Sequence, residues 1–285
     1  MSRARTAVVT GATSGIGRWI ALGLARAGVR LVLPTRSQAG GLAARDWLLE
    51  RVPAAEIELI EADLSSMAST MAAARLIGDR HPALSMLVNN AGVFRARRER
   101  TPEGHDLVLA VNHLAPFVLM RELRPALLAG SPARIVTVGS STSDSASIDP
   151  DDLELKRGWS MTRAYGRSKL AVMMATFETA RLLAGTGVTA NVVHPGMVAT
   201  NLIRSGGPIG LVWRALRPWV RTEQQGADTP LHACLAPDLA RMTGRYFKNR
   251  QPVAPNKRAL DPMLTRRVWE ATERLEHFPS QSARE

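Results

Sequence analysis

Only two tyrosines occur among the 285 residues, and one of them, Tyr165, stands four positions before Lys169, one of only four lysines. On a helix this spacing puts both side chains on one face, close enough for the ammonium to act on the phenol. An ordinary surface helix would show the same spacing, so the pair needs company. That company begins near the N-terminus. Gly11-Ala12-Thr13-Ser14-Gly15-Ile16-Gly17 follows a short apolar, β-branched run and precedes a helical pattern with Ile20, Leu22, Leu24 and Ala25, ending at Gly28. Strand, glycine turn, helix is the context in which backbone N–H groups at a helix N-terminus approach a pyrophosphate. The spacing is not the common G-x-G-x-x-G but Thr10-Gly11-x-x-x-Gly15-x-Gly17.

A second strand, Arg30–Pro34, ends in Thr35-Arg36. An acidic residue about twenty positions beyond the glycines would grip the ribose 2′-OH of NAD. No acidic residue stands at this strand end. The Arg36 guanidinium instead suits a 2′-phosphate by charge and by its forked donors, so NADP(H) is the expected cofactor.

These residues need elements to position them. Strand-like runs cover Ala7–Thr10, Arg30–Leu33, Glu56–Ile60, Met86–Asn89, Arg134–Val138 and Val188–Val193, with helical patterns between them at Arg18–Ala27, Met67–Asp79, Leu107–Leu128 and Tyr165–Leu183. Such alternation predicts an α/β fold, a single doubly wound Rossmann domain over residues 1–285. It would have a central parallel sheet of about seven strands and helices on both faces. Pro34 would remove a ladder hydrogen bond and is expected just beyond the paired stretch. After the sixth strand the pattern changes. Residues 201–222 carry Ile203, Leu211, Trp213, Leu216 and Trp219 among Arg204, Arg214 and Arg217. A short helix on the sheet edge, a substrate lid and a basic, Trp-bearing membrane-surface helix all fit. Residues 250–285 read as a C-terminal extension.

A hydrophobic content of 45% with 22% charged residues describes a globular chain with a sizeable core. No apolar run is long enough to span a bilayer. The basic N-terminus leads straight into the first strand, leaving no room for a signal peptide, and Cys234 is the only cysteine; cytoplasm is the expected compartment. The net charge of +12 is spread along the chain, with one cluster at Arg95, Arg97, Arg98 and Arg100. No aromatic-interleaved basic motif accompanies it, so no nucleic-acid partner is expected. The histidines show no metal-ligand spacing, and no metal is implied.

Taken with Asn89-Asn90-Ala91-Gly92, the glycine turn and Tyr165-x-x-x-Lys169 give a chain that resembles the short-chain dehydrogenase/reductases over almost its whole length. Ala62-Asp63-Leu64, Val111-Asn112-His113, Val138-Gly139-Ser140 and His194-Pro195-Gly196 with Val198 and Thr200 extend the match. Within the superfamily it is most similar to the retinol-dehydrogenase-like branch. The residues are Asn112-His113-Leu114-Ala115-Pro116-Phe117, Thr243-Gly244-Arg245-Tyr246-Phe247 and Val268-Trp269-Glu270.

The resemblance implies roles by position. Tyr165 would exchange a proton with the substrate oxygen while the nicotinamide exchanges a hydride with the carbon. Lys169, helped by the cofactor's positive ring, would favour the phenolate, lowering its pKa from about 10 by about three units, or about 4 kcal/mol, and would hold the nicotinamide ribose. Ser140, rather than the adjacent Ser141, would donate to the substrate oxygen, and Asn112 would distort its helix and anchor a water leading to Lys169. Gly11, Gly15, Ile16 and Gly17 would line the phosphates, with Ser14 and Arg36 at the 2′-phosphate. Asp63 and Leu64 would flank the adenine, and Asn90 and Gly92 its ribose. Pro195, Gly196, Val198 and Thr200 would face the nicotinamide. His113 and His194 are read as structural, and the acidic insert Asp149–Trp159 as a border of the substrate mouth. The expected activity is NADP(H)-dependent interconversion of a carbonyl and an alcohol on an apolar, cyclic or lipid-like small molecule. Reduction of a carbon–carbon double bond, or non-catalytic NADP(H) binding, are the alternatives. Helices Leu107–Leu128 and Tyr165–Leu183 are the surfaces through which a homodimer or homotetramer would form.

Overall fold

Aliphatic and β-branched runs become strands, and those at the centre of the sheet are buried along nearly all of their length. The computed structural model describes residues 4–198 and 221–276. Its strands are β1 (Thr6–Val9), β2 (Arg30–Thr35), β3 (Ile57–Glu61), β4 (Met86–Asn89), β5 (Ala133–Val138), β6 (Val188–His194), β7 (Tyr246–Lys248) and β8 (Gln251–Val253). They form one sheet in the order β3-β2-β1-β4-β5-β6-β7-β8. Every pairing is parallel except that of β7 with β8. The order reverses between β1 and β4. In a doubly wound sheet, ligands bind in the crevice at the carboxyl ends of the strands beside such a reversal.

Helices cover both faces. On one, α1 (Gly15–Arg26) packs Ile20, Leu22 and Leu24 into a core with Val29, Cys234 and Phe247. Outside it lies α2 (Gln38–Leu49). On the other face, α3 (Met67–Arg80) contributes Ile77 to a core with Leu87 and Phe117. Burying each such side chain contributes about 1.5–3 kcal/mol. The expected helix Leu107–Leu128 is there only in pieces: α4 (Leu107–Leu109), a π-helical turn (Ala110–Leu114), α5 (Ala115–Glu122) and α6 (Arg124–Ala129). The π turn centres on Asn112, as expected. Leu123, with φ −85° and ψ 0°, then separates α5 from α6, and Pro125 opens α6 without needing an N–H partner.

The longest helix, α7 (Met161–Leu182), starts four residues ahead of Tyr165, where the Ser160 side chain accepts from Arg163 N. Short α8 (Glu223–Gly226) and α9 (Asp228–Leu235) follow the undescribed segment. Then α10 (Pro262–Glu276) packs Val268 and Ala271 into the core that contains Leu170 and Met173 of α7. Its Trp269 meets Phe117 edge-on at 4.6 Å. Pro34 lies inside the β2–β3 pairing, opposite Ile60, rather than beyond it. Leu31 N donates to β3 and Arg30 N to β1, so by alternation the Pro34 nitrogen faces β1, whose pairing with β2 stops at Val32. The missing donor therefore falls where the ladder has already ended.

Candidate active site

The carboxyl ends of the central strands open onto a cleft of about 770 Å³. At its floor the chain leaves β1 through Gly11 (φ +67°) and Gly15 (φ +60°), a left-handed path that residues with a Cβ rarely follow. Ser14 sits at the N-cap of α1 but its side chain makes no capping bond, and the first turn holds no acidic residue. The N–H groups of that turn thus lack a side-chain partner and face the cleft wall formed by Gly15, Ile16 and Gly17. A Cβ on Gly17 would lie 2.2 Å from Gly11 O and 2.3 Å from Asn90 Nδ2, so this glycine serves the packing of the turn. Asn90, expected beside a ribose, braces the same turn: its Nδ2 donates to Thr10 O (2.9 Å) and Gly11 O (3.3 Å).

Moving along the cleft, Arg36 is exposed at the end of β2, and Asp63, Leu64 and Ser65 follow β3. The Asp63 carboxylate accepts from Ser65 N (2.9 Å) and Ser65 Oγ (2.7 Å), which holds this wall in place. Its neighbouring helix α3 is capped from 36 residues away: Glu103 accepts from Ser66 Oγ (2.6 Å) and Met67 N (3.0 Å).

At the opposite end, Ser140 leaves β5 in extended backbone and heads a 3₁₀ turn, Ser141–Ser143. Tyr165 and Lys169 project from α7 one turn apart, with the Lys169 Nζ 5.9 Å from the Tyr165 ring centre. Lys169 is buried and donates to Val138 O at 2.8 Å. Phe94 stands edge-on to Tyr165, ring centres 5.0 Å apart. Burial pushes Tyr165 up to about 12, opposed by a side-chain hydrogen bond from Ser140. Burial also brings Lys169 down to about 8. The apolar surroundings of Tyr165, among them Val93, Val108 and Phe94, disfavour the phenolate.

Among the described residues, every expected site residue lines the cleft except Asn112. Its side chain is consumed elsewhere: Oδ1 accepts from Val93 N (2.7 Å), while Nδ2 donates to Val93 O and to Ser168 Oγ, both at 3.0 Å. Gly92 sits between that amide and Lys169; a Cβ there would come within 3.5 Å of the ammonium. Pro195, Gly196 and Val198 follow β6 along the cleft, and His194 joins them. Burial, helped by Lys248, brings His194 down to about 4. Thr200 and the expected lid, up to residue 220, lie outside the described residues. Among the described residues, none of the acidic insert lines the cleft. Instead Glu154 accepts from Asp106 N (3.0 Å) and Trp159 Nε1 donates to Asp106 Oδ2 (2.8 Å). Phe94, Leu107 and Met161 also line the cleft but were not singled out from sequence. Phe94, directly behind Asn90-Ala91-Gly92-Val93, could have been found as the aromatic nearest the motif.

Fold and site together define an oxidoreductase of the doubly wound α/β class. The chain belongs to the short chain dehydrogenase family, whose model matches residues 5–207. It is 40% identical to dehydrogenase/reductase SDR family member 13 of Homo sapiens over 279 residues, covering 96% of this chain and 73% of that one. With retinol dehydrogenase 12 of Homo sapiens it shares 35% over 265 residues, 93% of this chain and 84% of the relative. These similarities put it in the retinol-dehydrogenase-like branch. Among solved structures, the Pseudomonas aeruginosa RhlG/NADP active-site complex is similar with a TM-score of 0.68 and 28% identity, over 85% of this chain and 93% of that one. Among the described residues no helix is long and apolar enough to cross a membrane.

Proposed function

We propose that this protein is an NADP(H)-dependent reductase of an apolar, cyclic or lipid-like aldehyde or ketone, running toward the alcohol. The observation that carries the reading is the convergence of Ser140, Tyr165 and Lys169 on one end of a cleft whose other end is a glycine turn. The turn fits a dinucleotide: left-handed glycines and first-turn N–H groups without side-chain caps suit a pyrophosphate. Arg36 suits a 2′-phosphate at the rim, where Thr35 and Ser37 flank it without an acidic residue. A solved relative in complex with NADP supports the same choice. When bound, the cofactor supplies the hydride for the substrate carbon.

The chain's own residues handle the oxygen. With its pKa near 12, Tyr165 is a neutral phenol at physiological pH, which suits a proton donor to a carbonyl being reduced. Ser140, which lines the same end of the cleft as the phenol, would donate to the same oxygen. Lys169 carries its charge below about pH 8 and stabilises the phenolate left behind, and has further N–H groups besides the one given to Val138. Asn112 is a positioning residue that ties the Val93 backbone to Ser168 on α7. Phe94, Leu107, Val111 and Met161 form an apolar substrate wall, in keeping with relatives named as retinol dehydrogenases.

The test is consumption of NADPH, with NADH alongside, against cyclohexanone, phenanthrenequinone, decanal and retinal. Turnover with NADPH preference is expected. Tyr165→Phe should cut kcat by at least about a thousandfold, with NADPH affinity, read by fluorescence titration, unchanged. Substantial activity in that variant would refute the proton-donor role.

A further inference from the structure

The segment matched by the family ends at residue 207, yet the turn that carries Ser140 is held from beyond it. Ser143 donates to Ser140 O through both Oγ (2.6 Å) and N (3.1 Å), so the two residues move as a unit. Asn256, buried, donates through Nδ2 to Ser143 O (2.8 Å) and Ala146 O (2.9 Å). Lys248 Nζ donates to Asp144 Oδ2 at 2.6 Å. Asn256 cannot easily swing away, since its Oδ1 also accepts from Arg258 N (3.0 Å).

Lys248 is fixed at its root as well. It begins the tight turn between β7 and β8, whose central residues Asn249 (φ +51°) and Arg250 (φ +65°) are both left-handed without being glycine. That unfavourable backbone is held by its surroundings. Arg221 donates to Asn249 Oδ1 (2.9 Å), Arg250 Nε donates to Asp228 Oδ2 (2.8 Å), and Arg250 N donates to Thr229 Oγ1 (3.3 Å). Arg221 in turn lies against Gly196, which lines the same cleft as Ser140.

We propose that Lys248 and Asn256 are positioning residues for Ser140: a clamp from the C-terminal part of the chain that fixes the serine hydroxyl against Tyr165. The inference rests on the role of Ser140 given above. The Lys248–Asp144 pair is 30% and 36% exposed, so it adds little to stability. A change there that alters catalysis without altering melting therefore separates positioning from folding.

The experiment compares Lys248→Met, Lys248→Arg and Ser140→Ala on the best substrate of the panel, with amide hydrogen exchange over residues 139–147 and fluorescence titration of NADPH. Lys248→Met is expected to lower kcat about tenfold or more, with little change in KM, NADPH affinity or Tm. Exchange in the serine turn should rise, and Lys248→Arg should restore most of the rate. A Lys248→Met enzyme with wild-type kcat and unaltered exchange, beside a disabled Ser140→Ala, would overturn the clamp. An active Ser140→Ala would instead remove the role of Ser140 itself, with exchange in Lys248→Met still reporting whether the turn is held. Asn256→Ala is the second variant; where it folds with wild-type Tm, it should show the same kcat loss.

Discussion

Lys169 is asked to be charged in a place that disfavours charge. Its ammonium is buried, has Val138 O as its one hydrogen-bond acceptor among the described residues, and is brought from 10.5 to about 8. The unfolded lysine holds its proton up to about pH 10.5, the folded one only to about 8. Below pH 8 the full penalty is present, about 3 kcal/mol; as pH rises from 8 toward 10.5 the native lysine is neutral and the penalty disappears. Lys169→Met should therefore abolish turnover while raising stability at neutral pH by about 2 kcal/mol, after about 1 kcal/mol for the Val138 bond is subtracted. The advantage should shrink above pH 8. Urea unfolding of both proteins across neutral to alkaline pH measures it, and a Met variant less stable at neutral pH would show that the site does not strain the ammonium. The burial that raises Tyr165 was not legible in sequence. Tyr165-x-x-x-Lys169 displays the charge that lowers a phenol pKa, whereas the apolar residues that raise it, Val93 and Val108, come from other parts of the chain.

Among the elements, the glycine turn between β1 and α1 leaves little room for change. Gly17→Ala would drive a methyl into Gly11 O and the Asn90 amide at 2.2 and 2.3 Å, both backed by bonds to Thr10 and Gly11. It should destabilise the protein by about 1–3 kcal/mol and weaken NADPH binding at least about tenfold. Gly78→Ala, inside α3 where nothing lies within 4 Å, is the matched control and should stabilise by about 0.5–1 kcal/mol. Equal effects at the two positions would mean that helix propensity, not the turn, governs Gly17. Elements of this local kind were legible. The six strand-like runs all appear, because each is a short stretch dominated by aliphatic and β-branched residues. What was not legible depends on partners distant in sequence. β7 and β8 are three residues each, too short to display a period. The break in the predicted Leu107–Leu128 helix accompanies an Asn112 amide bonded to Val93, 19 residues away. Glu103 gave no sequence signal as a cap because the helix it caps precedes it by 36 residues.

At the scale of the whole molecule, two histidines that the chemistry does not use set its response to acid. His113 sits in the π turn, fully buried, with Nε2 2.8 Å from Thr272 Oγ1 on α10. Thr272 Oγ1 donates to Val268 O (2.7 Å), so it accepts from His113 and the imidazole is the neutral Nε2–H form. The bond joins the turn carrying Asn112 to the C-terminal helix, and protonation would place a charge where burial holds the pKa at about 3. The folded pKa lies below the unfolded value of 6.5, so stability is complete above about pH 6.5 and is lost as pH falls toward 3. The loss is about 1.4 kcal/mol per pH unit for His113. His194, brought from 6.5 to about 4, adds a loss of the same sign in the same window. Glu58, Glu103 and Glu154, all held below their ordinary 4.5, take over only under more acid conditions. Between pH 6.5 and 4.5 the slope thus belongs to the histidines. Urea midpoints should fall steadily through that interval, and His113→Leu, though less stable at neutral pH for want of the Thr272 bond, should show a visibly shallower decline. A wild-type curve flat from 6.5 to 4.5, or a His113→Leu curve as steep as wild type, would mean that the imidazole gains its proton without leaving the fold. The bridge between the π turn and α10 would then tolerate a charge that its surroundings give no means of solvating.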